Sequence, residues 1–242
     1  VTGGTGIIVT DFAYPGNTRL TYEISTDCIP AGELPDYVVT IPTPDMRKGE
    51  ADTEAVDDAL ALLHKRGIRP CALVIDTIIS SGGVMEPPTG YLKTLARRVQ
   101  DAGALFVADE VQPGFGRTGR NFWGFEVDGF VPDIVTMGKP MGNGHPISAV
   151  VTGNGLAETF GRNESYFNTF GGNPVSCAAA LAVLDVIDDE CLQENALDVG
   201  GHFVKGLRQL AAKHECIGDV RGTGLFIALD LVTERESGAP AT

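Results

Sequence analysis

Short apolar runs alternate with stretches of helical period along most of this chain. The runs at residues 6–10, 37–41, 71–76, 105–109, 134–137 and 147–152 predict strands. Several are rich in Val, Ile and Leu without polar alternation, as strands buried on both faces are. Amphipathic periodicity predicts helices over residues 52–66, 90–102, 174–188 and 192–214. Strand and helix in alternation imply an α/β fold, a mainly parallel sheet with helices on both faces. Asn173 is placed to cap the third helix, and Pro174 suits its first turn. The interior of that helix, Cys-Ala-Ala-Ala-Leu-Ala-Val-Leu, is small and apolar, which predicts tight packing in a core.

After the polar stretch 192–214 the β pattern returns over residues 217–232, around Arg221-Gly-Thr-Gly224. This predicts a large domain over residues 1–191 and the beginning of a second, smaller α+β domain over residues 192–242. The tail 233–242 has the composition of a loop or a frayed end.

The 242 residues are 43% hydrophobic, enough for a substantial core. Lys and Arg total 18 against 32 Asp and Glu, a net charge of -14. That balance argues against a nucleic-acid partner, which needs a basic face, and leaves room for a small anion held locally. The five cysteines are odd in number and lack CxxC spacing. Reduced thiols and a cytoplasmic enzyme are the expectation. The four histidines form no HExxH pattern. No run is long enough to cross a bilayer, so no membrane partner is expected. The chain begins with Val1 rather than Met, which suggests a processed or excerpted piece.

Two strand ends carry the candidate chemistry. Ala104-Leu-Phe-Val-Ala-Asp-Glu-Val-Gln112 closes an apolar run with two carboxylates and a glutamine. Ile134-Val-Thr-Met-Gly-Lys-Pro-Met-Gly-Asn-Gly-His-Pro146 places Lys139 after another run, at the start of a Pro/Gly-rich loop. Open α/β sheets bind ligands at the carboxyl ends of their strands. A lysine can form a Schiff base with an aldehyde cofactor, and an aspartate can hold a pyridinium nitrogen protonated. Singly, either residue reads as structural; together, with Gln112 and a Gly-rich loop between them, they point to a cofactor site.

Other motifs read more plainly. Gly114-Phe-Gly-Arg-Thr-Gly119 matches GxGxxG by letter, but Asn121-Phe-Trp-Gly-Phe125 follows it, which does not open a helix. It predicts a loop beside the site instead of a dinucleotide turn. Val1-Thr-Gly-Gly-Thr-Gly6 precedes a strand, so it reads as a turn rather than a phosphate cradle. His145 reads as a loop histidine satisfied by backbone, with a catalytic base as the alternative. Phe122, Trp123 and Phe125 read as packing under the loop, with a substrate pocket as the alternative.

Four segments together carry a family resemblance: Phe12-Ala-Tyr-Pro-Gly-Asn-Thr18, Leu105-Phe-Val-Ala-Asp-Glu-Val-Gln-Pro-Gly-Phe-Gly-Arg-Thr-Gly119, Pro132-Asp-Ile-Val-Thr-Met-Gly-Lys139 and Phe167-Asn-Thr-Phe-Gly-Gly-Asn-Pro174. In this order they resemble the class III (omega-type) aminotransferases of the pyridoxal-phosphate fold type I superfamily. The wording around Lys139 and Thr169 is most similar to the branch of alanine–glyoxylate aminotransferase 2 and the phospho-lyases.

The resemblance implies pyridoxal 5'-phosphate (PLP) as cofactor. It matches Lys139 to the Schiff-base lysine that also moves the proton at the substrate carbon. Asp109 matches the partner of the ring nitrogen. Val111 and Tyr14 would flank the ring, and Gln112 would contact its phenolic oxygen. Thr169 would reach the phosphate of a neighbouring subunit, which implies a homodimer. The implied reaction transfers an amino group from an amine or amino acid to an oxo acid. The alternative is a phospho-lyase acting on an O-phosphorylated amine; a second alternative is a piece incompetent on its own. A lysine in a cationic, poorly hydrated setting becomes a nucleophile more readily. Two departures stand out: Pro15, where the family often has histidine, and Asp76-Thr77, where many members have Glu-Pro. The family's phosphate-gripping Gly-Thr/Ser turn is expected to lie outside these residues.

Overall fold

A computed structural model describes residues 1–45 and 51–241. Thr242, the last residue of the predicted C-terminal portion, lies outside the described residues. The centre of the fold is a six-stranded sheet of β1 (Gly6–Thr10), β2 (Val38–Ile41), β3 (Pro70–Asp76), β4 (Leu105–Asp109), β5 (Ile134–Met137) and β6 (Ala149–Thr152). Its order is β2-β1-β3-β4-β5-β6. All neighbours run parallel except β5 and β6, which pair antiparallel. The sheet is therefore mainly parallel, as its unalternating apolar runs predict.

The core forms where two helices cover this sheet. Helix α2 (Ala55–Lys65) and helix α3 (Tyr91–Asp101) present Val56, Leu63, Leu92, Leu95 and Val99 to Ile8, Leu73, Ile75 and Phe106 of the strands. Full burial of such side chains contributes about 1.5–3 kcal/mol each, so this face fixes the strands whose ends carry the site. Helix α2 starts three residues later than predicted, with Glu54 at its N-cap position and Asp52 bonded to the amides at its start. The Asp52 Oδ1 accepts from the amides of Glu54 at 2.7 Å and Ala55 at 3.2 Å.

Helix α5 (Pro174–Asp189) begins as its sequence predicts. The Asn173 side chain accepts from the Ser176 amide at 3.0 Å, and Pro174 occupies the first turn. The predicted burial of α5 is not observed. Only Ser176, Ala180 and Ile187 are buried, while Val175, Leu181, Leu184 and Val186 are exposed. The apolar run circles the helix, and the described residues cover only one side of it.

Helix α6 (Leu192–Ala211) leads into an antiparallel sheet of β7 (Ile217–Thr223), β8 (Phe226–Glu234) and β9 (Ala239–Pro240). Val204 of α6 packs on Ile217 and Val220 of β7. The predicted tail loop thus adds a short third strand. Gly200 makes the close approach of α6 possible: a Cβ there would stand 1.9 Å from the Gly224 carbonyl oxygen. The hairpin is tied to the Gly-rich loop, because the Leu225 amide donates to the Arg117 carbonyl at 3.1 Å. Two short helices were not predicted, α1 (Arg19–Glu23) and α4 (Asn154–Asn163). Neither has a buried residue, so neither left a strong apolar stripe in the sequence.

Candidate active site

The carboxyl ends of β3, β4 and β5 are brought level by their register. Asp76 pairs with Asp109, and Asp109 pairs with Thr136. Two acids separated by 33 positions thus become lateral neighbours at the end of a parallel sheet, where ligands of such folds bind. Asp109 is partly buried and accepts from the Val111 amide at 3.0 Å. Burial pushes its carboxyl up to about 6; the nearby Asp76 charge adds to the rise, and the hydrogen bonds and the Lys139 charge oppose it. Among the described residues no ion pair reaches Asp109.

Asp76 ends β3 in a tight turn. Its Oδ1 accepts from the Ile78 amide and its Oδ2 from the Ser80 amide, each at 3.0 Å. The Ser80 hydroxyl donates to the same Oδ2, and the Gln112 amide nitrogen donates to Ser80 Oγ. Ile79, between these residues, has φ 48°. A left-handed β-branched residue costs about 1–3 kcal/mol and persists only where its surroundings over-determine it.

Glu110 is fully buried directly after Asp109. It accepts from Thr77 Oγ1 at 2.8 Å and from the amides of Gly124 at 2.8 Å and Phe125 at 3.0 Å. Burial pushes its carboxyl up to about 7. Glu110 therefore anchors the loop that carries Val111 and Gln112, and the two acids divide their work between a free strand end and a buried clamp.

The other expected residues fall around this point. Tyr14 lines a recess with Phe12, Pro15, Asp76, Ser80 and Asp109. Val111, Gln112 and Lys139 line an adjoining open hollow of about 680 Å³ with Arg117 and residues of α5. Val111 lies over Gly138, its methyls 3.9 Å from where a Cβ would stand on that glycine. Lys139 is exposed, contrary to the poorly hydrated setting expected for it. Thr169 is exposed in the loop before α5 and lines neither hollow. Asp76 and Ser80 were missed as site residues. Their signal was an apolar run closing on aspartate, the same ending that Asp109 has.

His145 is satisfied differently from expectation. Its main-chain amide donates to the Gly142 carbonyl at 2.9 Å, but its ring Nε2 pairs with Ser176 Oγ at 2.8 Å. The aromatic residues pack on one another, with Trp123 meeting Phe115 edge-on at 5.1 Å and Phe122 at 4.8 Å. The loop 114–119 leads to a 3-10 turn at Gly124–Asp128, so no dinucleotide-binding helix opens on it.

These residues fit PLP. A partly buried carboxylate held in no ion pair among the described residues suits a protonated ring nitrogen, and a primary amine, Lys139, stands close enough for its charge to act on that carboxylate. Val111 and Gln112 follow Asp109 by two and three positions, so one loop would present an apolar and a polar contact to a planar ring.

Comparison with known proteins agrees with this geometry. The model of the family "Aminotransferase class-III" matches residues 1–241. Ethanolamine-phosphate phospho-lyase homolog 1 of Caenorhabditis elegans is 42% identical over 257 residues, covering 96% of this chain and 55% of that protein. An alanine–glyoxylate aminotransferase 2-like protein of Drosophila melanogaster is 41% identical over 251 residues, covering 97% and 51%. The chain spans about half the length of these curated relatives. A phospholyase from Arthrobacter, solved with phosphoethanolamine, superimposes with TM-score 0.92 and 42% identity, covering 99% of this chain and 59% of that one. A taurine:2-oxoglutarate aminotransferase from Bifidobacterium kashiwanohense, solved with PLP and glutamate, gives TM-score 0.83 and 25% identity, covering 99% and 57%. With PLP as its cofactor, this chain belongs to the class III aminotransferase family.

Proposed function

We propose that this chain carries the catalytic centre of a PLP-dependent aminotransferase that moves an amino group from an amine or amino acid to an oxo acid. The observation that carries this reading is Asp109, a partly buried acid with no ion pair among the described residues, within electrostatic reach of Lys139. When bound, PLP supplies an electron sink for the charge left when a proton leaves the substrate carbon. The Asp109 carboxylate holds the ring nitrogen protonated, which maintains that sink. The Lys139 amine binds the cofactor and later takes and returns the proton at the substrate carbon. Gln112 would donate to the phenolic oxygen, and Val111 and Tyr14 would flank the ring. Thr169 serves the phosphate of a second copy of the chain. The exposed Tyr166, Phe167 and Phe170 beside it support an interface there.

A second reading is favoured by the likeness to the Arthrobacter phospholyase: elimination of phosphate from an O-phosphorylated amine. Both readings use Asp109 and Lys139 alike up to proton removal. They differ afterwards: transfer passes the nitrogen to the oxo acid, whereas elimination releases phosphate and then, on hydrolysis, ammonia. The test supplies ethanolamine phosphate in one reaction and an amine with pyruvate or glyoxylate in another. Amino-acid product without phosphate release supports transfer. Stoichiometric phosphate and ammonia without amino-acid product would replace it with the lyase.

A further inference from the structure

We propose that Ser80 is a positioning residue, whose hydroxyl links the Asp76 carboxylate to the Gln112 amide and so decides which end of that amide faces the cofactor. This rests on the reading of Gln112 as a cofactor contact. The link joins three residues from two parts of the chain. Asp76 ends β3, Ser80 returns onto it through the turn, and Gln112 follows β4.

The polarity of the chain follows from elementary donor and acceptor capacities. An ionised carboxylate only accepts. The Asp76 oxygens already take the Ile78 and Ser80 amides, and the Ser80 hydroxyl spends its one proton on Oδ2. Ser80 Oγ can then only accept from its other neighbour. Gln112 must therefore turn its NH2 group towards Ser80, as it does. One N–H of that group remains for an anionic oxygen in the site. With Ser80 absent, nothing distinguishes the two ends of the amide, and a carbonyl facing a phenolic oxygen would repel it.

The backbone is shaped to make this link. Ile79 is held at φ 48°, and its amide donates to the Asp76 carbonyl at 3.0 Å. That turn brings Ser80 back onto the carboxylate four positions earlier. Other charged groups near Asp76 are Asp109 on the adjacent strand and Glu110 after it, both of which feel its charge. Neither carboxylate can donate to Asp76 while ionised, so the Ser80 hydroxyl is the side-chain donor that holds it. Burial pushes the Asp76 carboxyl above the ordinary range, and the hydrogen bonds from Ser80, Ile78 and Ile79 oppose that rise.

The test compares Ser80→Ala, Ser80→Thr, Gln112→Ala and the double variant Ser80→Ala/Gln112→Ala. Carboxyl NMR first follows Asp76 in cofactor-free protein. Ser80→Ala should raise its titration midpoint, because the carboxylate loses one charge-assisted hydrogen bond. It should also broaden or split the Gln112 side-chain amide signals, and Ser80→Thr should restore both. With PLP added, the absorbance of the bound cofactor is titrated with pH. Ser80→Ala and Gln112→Ala should displace its midpoint in the same direction, with no further displacement in the double variant. An unmoved Asp76 midpoint with unchanged Gln112 signals in Ser80→Ala would overturn the proposal. Additive displacements in the double variant would overturn it as well. Absence of any Lys139-dependent cofactor absorbance in the unsubstituted protein would instead refute the cofactor reading, while the cofactor-free titration still decides whether Ser80 holds Gln112.

Discussion

Replacing Asp109 by asparagine should change stability in one direction and cofactor binding in the other. The side chain keeps its shape, and its Oδ1 can still accept from the Val111 amide, so packing is preserved. What changes is the charge. Burial raises this carboxyl from the usual 3.8 to about 6. At about 1.4 kcal/mol per unit, that is at most about 3 kcal/mol. The folded protein holds this proton more tightly than the unfolded chain does. The ionised carboxylate is therefore a cost to the fold. The cost is absent below pH 3.8, grows through the interval up to about 6, and is complete above it.

Asp109→Asn should thus stabilise the cofactor-free protein by about 1–3 kcal/mol at pH 7.5 and leave it unchanged near pH 3.5. For a chain of this size the gain corresponds to a rise in Tm of roughly 2–12 °C, read by calorimetry at the two pH values. In the presence of PLP the sign reverses. The ring nitrogen supplies the missing counter-charge to aspartate and gains little from asparagine. The variant should lose about 10–1000-fold in PLP affinity, corresponding to a pairing shift of roughly 1–3 units. Equal destabilisation of the cofactor-free variant at both pH values would refute this reasoning and leave Asp109 as a structural strand end.

Lys139→Ala should lower turnover by at least about 100-fold, because the site loses its proton carrier. Borohydride reduction of PLP-loaded protein should label the Lys139 peptide; label at Lys93 instead would refute the assignment. Glu110→Ala should cost at least about 2 kcal/mol in urea unfolding, since the Thr77 hydroxyl and two loop amides lose their acceptor. Its carboxyl is raised from 4.5 to about 7, so its ionisation costs stability as pH rises through that interval, and Glu110→Gln should flatten the dependence there. Arg221 bonds Asp230 at 2.7 and 2.9 Å, Asp219 at 2.8 Å and the Gly83 carbonyl at 2.8 Å. Arg221→Ala should cost about 2–3 kcal/mol by removing a charged partner of two partly buried acids, and hydrogen exchange should show faster opening of β7 and β8.

The strands and long helices were legible because their signals are local. An unalternating apolar run such as residues 71–76 reports burial on both faces, and Asn173-Pro174 reports a helix start, each within a few residues. Family motifs likewise pointed to Asp109, Val111, Gln112 and Lys139 at two strand ends, which the structure sets side by side. Helix α4 escaped because its sequence, Asn-Gly-Leu-Ala-Glu-Thr-Phe-Gly-Arg-Asn, contains two glycines and buries nothing. The exposure of Lys139 and of the apolar α5 face was not legible either, because composition states what can be buried and neighbours decide what is. The link from Asp76 through Ser80 to Gln112 belongs wholly to the tertiary structure. It needs the register that sets Asp76 beside Asp109, and a left-handed Ile79 that no local preference favours. Side-chain periodicity follows from backbone geometry and is written into neighbouring residues. Register between strands 33 positions apart is settled only when packing of the whole sheet selects one pairing.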